Sequence, residues 1–149
     1  MTSPQSGITL IELTLVILIA TLIIGIVTPA YLRIIDKKRT DLAMTEITSL
    51  QKDIDRFGRR NARFPSSLTE IYPAIPVDPW GNPYKYTNVK NDGGSLRTDM
   101  NLKSLNADYD LYSDGPDKTS LSPVSASESR DDIIRAKNGG FIGVASGYK

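Results

Sequence analysis

One stretch constrains this chain more than any other: an apolar run that holds a single charge. From Ile8 to Leu32 the only charged residue is Glu12. As helix the run would extend roughly 37 Å, enough to cross a hydrocarbon core of about 30 Å. A carboxylate inside such a span costs several kcal/mol unless it finds a partner, which makes Glu12 a functional residue by default. The plainer alternative is a single-pass anchor whose Glu12 sits near the interface and reaches water.

A secretory signal has a shorter apolar region and a small residue after it. Here the small residue, Gly7, comes first, so a cut beside it would leave the apolar segment in the mature chain. Beyond Pro29 the helical period continues. Ala43, Ile47, Leu50, Ile54 and Phe57 recur at spacings of four, three, four and three, which is one apolar stripe. The spacing predicts one long helix from about Ile8 to about Arg60, with a bend around Gly25 to Pro29. Asp41, Glu46, Lys52, Asp53, Asp55 and Arg56 fall on its other faces and read as solvated.

Asn61 to Pro65 ends that helix. Ser67-Leu68-Thr69-Glu70 has capping-box spacing and predicts a short second helix, stopped by Tyr72-Pro73-Ala74-Ile75-Pro76. Tyr84 and Tyr86 alternate as on a half-buried strand, and Tyr109 and Leu111 do the same. Phe141–Val144 predicts a last strand, and Asp131 to Ile134 a short anchored segment. Asn88 to Asn106 is polar and turn-rich, a loop or a hairpin through Gly93-Gly94. Trp80, the only tryptophan, is expected to cap the core, the alternative being an exposed contact for a partner.

At 149 residues the chain has room for one small domain besides the span. Its 18 basic and 17 acidic residues nearly balance, which excludes an electrostatic nucleic-acid surface. There is no cysteine, so no disulfide can staple the domain. There is no histidine, which removes the commonest general base and metal ligand. With no P-loop, G-x-S-x-G or C-x-x-C either, nothing supports an enzyme.

Gly7, the apolar Ile8, Glu12 at the fifth position from Ile8 and Pro29 at position 22 resemble the class III signal of type IV prepilins and type II secretion pseudopilins. Two departures stand out. Ile8 replaces the usual phenylalanine, and residues 1–7 lack the usual basic residue. Arg33, Lys37, Lys38 and Arg39 lie just after the span, and the positive-inside rule alone would put that end in the cytoplasm.

Two later stretches resemble the globular domain of major pseudopilins: Asp78-Pro79-Trp80-Gly81-Asn82-Pro83-Tyr84, and Asp110-Leu111-Tyr112-Ser113-Asp114-Gly115-Pro116-Asp117 followed by Asp131-Asp132-Ile133. The resemblance covers nearly the whole chain, although Asn88–Asn106 is longer than the usual turn.

The resemblance implies an α+β, type IV pilin-like fold, a long N-terminal helix packed on a small antiparallel sheet. Residues 1–7 would be a leader, 8–32 the transmembrane and filament-core helix, and 33–149 a periplasmic domain that includes the helix's second half. A prepilin peptidase would cut between Gly7 and Ile8 and N-methylate Ile8. Glu12 would then pair with the Ile8 amine of a neighbouring copy and set the register. Pro29 would let the helix extend. The implied protein is a homopolymeric subunit of a periplasmic pseudopilus in type II protein secretion, anchored in the inner membrane lipid. It would work with an inner-membrane assembly platform and minor pseudopilins, and have no enzymatic activity. A surface type IV pilin and a membrane-tethered binding protein that never polymerises are the alternatives.

The resemblance also implies calcium at the last loop, a hard cation that takes six to eight oxygens. Position in the motif assigns the Leu111 carbonyl, Ser113, Asp117, Asp131 and Asp132. Asp114 is an additional nearby acid, and either Asp131 or Asp132 matches the family ligand. From the residues alone, the same acids read as an acidic surface turn capping local amides.

Overall fold

The computed structural model describes residues 7–90 and 96–148. The expectations for leader residues 1–6 and for a hairpin at Gly93-Gly94 lie outside them. The chain forms two compact units, Met1–Lys38 and Arg39–Lys149.

The predicted helix is present as α1, Leu10–Asn61, unbroken at Pro29. In the first unit every described residue up to Ile34 is exposed. This is the one helix among the described residues long and apolar enough to cross a membrane. Its threonines suit that setting. Thr14, Thr21 and Thr28 donate their hydroxyls to the carbonyls of Ile11, Leu18 and Ile24 at 2.7–2.9 Å. Each of the three hydroxyls thus has an acceptor within its own helix, as an apolar surrounding would require.

The second unit begins with the amphipathic part of α1. Ala43, Ile47, Leu50 and Ile54 are buried as their spacing predicts, and Phe57 is half-buried. The four buried residues pack on Leu68, Tyr84, Tyr109, Leu111 and Ile133. The helix ends where Ala62 turns left-handed, at φ 53°.

The predicted second helix is a single 3₁₀ turn, Leu68–Glu70. Ser67 Oγ accepts the Thr69 N–H, but Glu70 reaches back to the Ser66 N–H, one residue earlier than a regular capping box requires.

The sheet has four antiparallel strands in sequence order: β1 Lys85–Asn88, β2 Tyr109–Ser113, β3 Ile133–Ala136 and β4 Phe141–Val144. The segment expected merely to be anchored at Ile133-Ile134 is therefore a central strand. All four of its residues are buried. Ile133 joins the core against α1, while Ile134 and Ala136 join a second core with Leu105, Val124 and Ala145. A strand covered on both faces shows no polar alternation, which is why the sequence pattern conceals it.

Trp80 is partly buried against the main core, as expected of a cap. Of the loop from Asn88 to Asn106, the part after residue 95 is tied down. Thr98 bridges Ser104, and Arg97, Leu105 and Asn106 are buried.

Candidate functional site

Two places carry the residues singled out in the sequence. The first is the start of α1. Gly7 and Ile8 are exposed. Thr9 and Glu12 form a reciprocal cap. The Thr9 N–H and hydroxyl donate to Glu12 Oε2 at 3.0 and 2.9 Å, and the Glu12 N–H donates to Thr9 Oγ1 at 3.3 Å. Such a cap satisfies backbone donors that no helical carbonyl can reach. The Thr-x-x-Glu spacing of Thr9 and Glu12 is the sequence signal of this cap. In the single chain the charge of Glu12 is thus held by its own helix end.

The second place is the turn after β2. Asp78 lies at its centre. Its Oδ1 accepts the N–H groups of Trp80 and Asn82 at 3.0 and 2.8 Å. Its Oδ2 accepts the Ser113 hydroxyl at 2.5 Å and the Asn82 amide at 3.3 Å. The Asn82 amide also donates to the Gly115 carbonyl at 3.1 Å. The two motif stretches are therefore one structure, in which the first ties down the turn of the second. Gly115 is required there. Its φ is +68°, and a Cβ would lie 2.7 Å from the Asp131 carbonyl oxygen.

The five residues assigned to calcium are divided among separate bonds. Leu111 is buried in β2 and pairs with Tyr86 of β1. Ser113 is buried and serves Asp78 and the Gly115 N–H. Asp117 and Asp131 meet: the Asp117 N–H donates to Asp131 Oδ2 at 3.3 Å, while Asp117 Oδ1 accepts the Thr119 N–H at 2.9 Å. Asp132 is fully buried, and its Oδ2 takes Arg97 at 2.5 Å and the Ser120 hydroxyl at 2.7 Å. Burial pushes the Asp132 carboxyl up to about 6 against the pull of Ser120 and Arg97. Asp114 lies 3.5 Å from Lys85, and burial raises it as well. Among the described residues no three acidic side chains gather closely enough to hold a metal ion. The arrangement is a set of hydrogen-bonded carboxylates, not an oxygen cage.

Arg97 and Arg135 were missed in the sequence. Arg135, on β3, is buried and forks onto Asp108 at 2.8 and 2.7 Å, stacks 3.9 Å from the centre of the Tyr109 ring and bonds Gln51 of α1 at 3.1 Å.

A helix whose first part has span length and whose second part carries a four-stranded antiparallel sheet defines the pilin-like class of α+β folds. Within that class, the chain is similar to proteins named type II secretion system core protein G. It is 26% identical to the one from Pseudomonas aeruginosa over 134 residues, 76% of this chain and 84% of the relative. It is 27% identical to the one from Escherichia coli over 137 residues, 78% of this chain and 85% of the relative. It is 27% identical to the one from Klebsiella pneumoniae over 136 residues, 87% of this chain and 92% of the relative. No protein-family model and no solved structure matches the chain.

Proposed function

We propose that this chain is a structural subunit of a periplasmic pseudopilus in type II protein secretion, without catalytic activity of its own. The observation that carries the reading is the exposed apolar part of α1, from Leu10 to Leu32, with one acid in its first turn. An apolar surface of that extent needs lipid or other copies of itself to cover it. The similarity to core protein G over most of the chain supplies the secretion system.

Processing between Gly7 and Ile8 frees an amine on Ile8. In a filament that amine becomes the partner of a neighbour's Glu12, which leaves its Thr9 cap to meet it. A copy out of step leaves both charges unpaired in an apolar core, so the pair selects register. Inner-membrane insertion precedes assembly, and an assembly platform and minor pseudopilins serve the filament.

Deleting the gene, then assaying secreted proteins and surface fibres side by side, tests the proposal. Secretion is expected to fail while surface fibres persist. Lost fibres with normal secretion would instead make the chain a surface pilin subunit.

A further inference from the structure

The loop between β2 and β3 is negatively charged at its base and has no disulfide to close it, because the chain has no cysteine. Its deepest acid is Asp132, fully buried. A carboxylate removed from water needs a paired cation or a proton. The cation within reach is Arg97, which comes from the long segment between β1 and β2. The two side chains are 5% and 0% exposed and meet at 2.5 Å.

Arg97 does more than touch one acid. Its Nη1 donates to Ser120 Oγ, and the Ser120 hydroxyl in turn donates to Asp132 Oδ2 at 2.7 Å. Its guanidinium lies 4.2 Å from the centre of the Tyr112 ring. Its backbone N–H donates to Asp110 Oδ2 at 2.7 Å. The next residue continues the seam: the Thr98 carbonyl accepts the Val124 N–H at 2.9 Å, and Thr98 Oγ1 lies 3.1 Å from Ser122 Oγ. One short segment thus holds the loop at Ser120, Ser122, Val124 and Asp132.

Among the described residues, Arg97 Nε and Asp132 Oδ1 are buried without a hydrogen-bond partner. One is a donor and the other an acceptor. They belong to the two members of a single ion pair, whose direct contact is the one between Arg97 Nη2 and Asp132 Oδ2.

We propose that Arg97 is the resident cation of this loop, so that the domain closes its C-terminal half with a guanidinium and needs no divalent metal to do so. The role is internal to the folded domain and holds whether or not copies assemble. Its failure is therefore separable from failure of the filament reading.

The test is thermal melting of the full chain in detergent, followed by the fluorescence of Trp80, in EDTA, in millimolar calcium and in millimolar magnesium. The wild-type chain is expected to melt at the same temperature in all three. Arg97→Gln strands a buried carboxylate and should lower the melting temperature by about 10 °C or more. Replacing both members, Arg97→Met with Asp132→Leu, should recover much of that loss, because an apolar pair leaves no charge to strand. If Arg97→Gln yields no folded chain, the double variant decides: restored folding supports the pair, and continued failure overturns it. A wild-type melting temperature that climbs with calcium but not with magnesium overturns the proposal, as does an Arg97→Gln chain that melts like the wild type.

Discussion

Ser113 Oγ donates a 2.5 Å hydrogen bond to Asp78 Oδ2, joining two buried residues 35 positions apart. That bond explains why the Asp78–Tyr84 stretch and the turn after β2 occur together in the chain. The first stretch folds back on its own aspartate, and the aspartate's remaining oxygen then receives the second.

Asp78→Ala removes the acceptor of Trp80, Asn82 and Ser113 at once. Buried donors left without acceptors cost about 1–3 kcal/mol each, so a loss of at least about 3 kcal/mol is expected. Denaturation followed by Trp80 fluorescence reads it directly, since the tryptophan sits on the same turn. A loss below about 1 kcal/mol would show that water replaces the carboxylate.

Gly115→Ala meets two obstacles at one position, a φ of +68° and a contact of 2.7 Å to the Asp131 carbonyl. Left-handed backbone alone costs a residue with a Cβ about 1–2 kcal/mol, and relief of the contact must move the Asp131 backbone. The expected result is a destabilised domain with weaker protection of the Asp117 amide in hydrogen exchange. Gly81, also at positive φ, has open space around its Cβ position and should tolerate alanine with a loss near the backbone term alone.

At the start of α1, Glu12→Ala is expected to abolish filament assembly, or misregister it, while membrane insertion stays normal. Thr9→Val removes the hydroxyl half of the cap and should cost about 1 kcal/mol at the helix start. Under the proposed pairing Glu12 is given to the neighbour's amine, so Thr9→Val should leave assembly largely intact. Cross-linking of copies in membranes separates the two variants. Normal filament yield from Glu12→Ala would remove the proposed pairing.

The parts of this fold that could be read in advance are those governed by local spacing. The stripe Ala43, Ile47, Leu50 and Ile54 sets the helix face, and Tyr86 and the pair Tyr109 and Leu111 mark β1 and β2, with Tyr84 one residue before β1. What stayed hidden depends on partners far along the chain. Arg135 is buried because Asp108, 27 positions away, and the Tyr109 ring receive it. Arg97 sits in a polar loop with nothing nearby to mark its pairing with Asp132, 35 positions on. At the turn after β2, acid spacing does not foretell the bonding: Asp117 and Asp131 meet, while Asp132 turns to Arg97 and Ser120.

Arg135→Lys tests how much the fork matters. Lysine keeps the charge but cannot serve both Asp108 oxygens, Gln51 and the Tyr109 ring together. A loss of about 2 kcal/mol is expected, and Arg135→Ala should cost about 3–5 kcal/mol by stranding Asp108 beside the core. Equal stability of the lysine variant and the wild type would mean that charge alone, and not the planar fork, holds β3 to α1.

The pH dependence of stability has one readable contributor at the end of α1. Hydrogen bonding from Arg63, then from the Ser66 N–H, brings the Glu70 carboxyl down to about 2 from an ordinary 4.5. The folded value lies below the unfolded one, so the folded chain releases this proton more readily. The contribution is therefore complete above about pH 4.5 and is lost as the pH falls through about 2. Glu70→Gln should lower the melting temperature at neutral pH and flatten its decline in that acid window, so that the two chains converge near pH 2. Because the pair is exposed, added salt should shrink the neutral-pH difference. Melting curves at a series of pH values, with and without salt, check both statements. A gap between the chains that is constant from neutral pH down to 2 would show that Glu70 acts through packing and not through its charge.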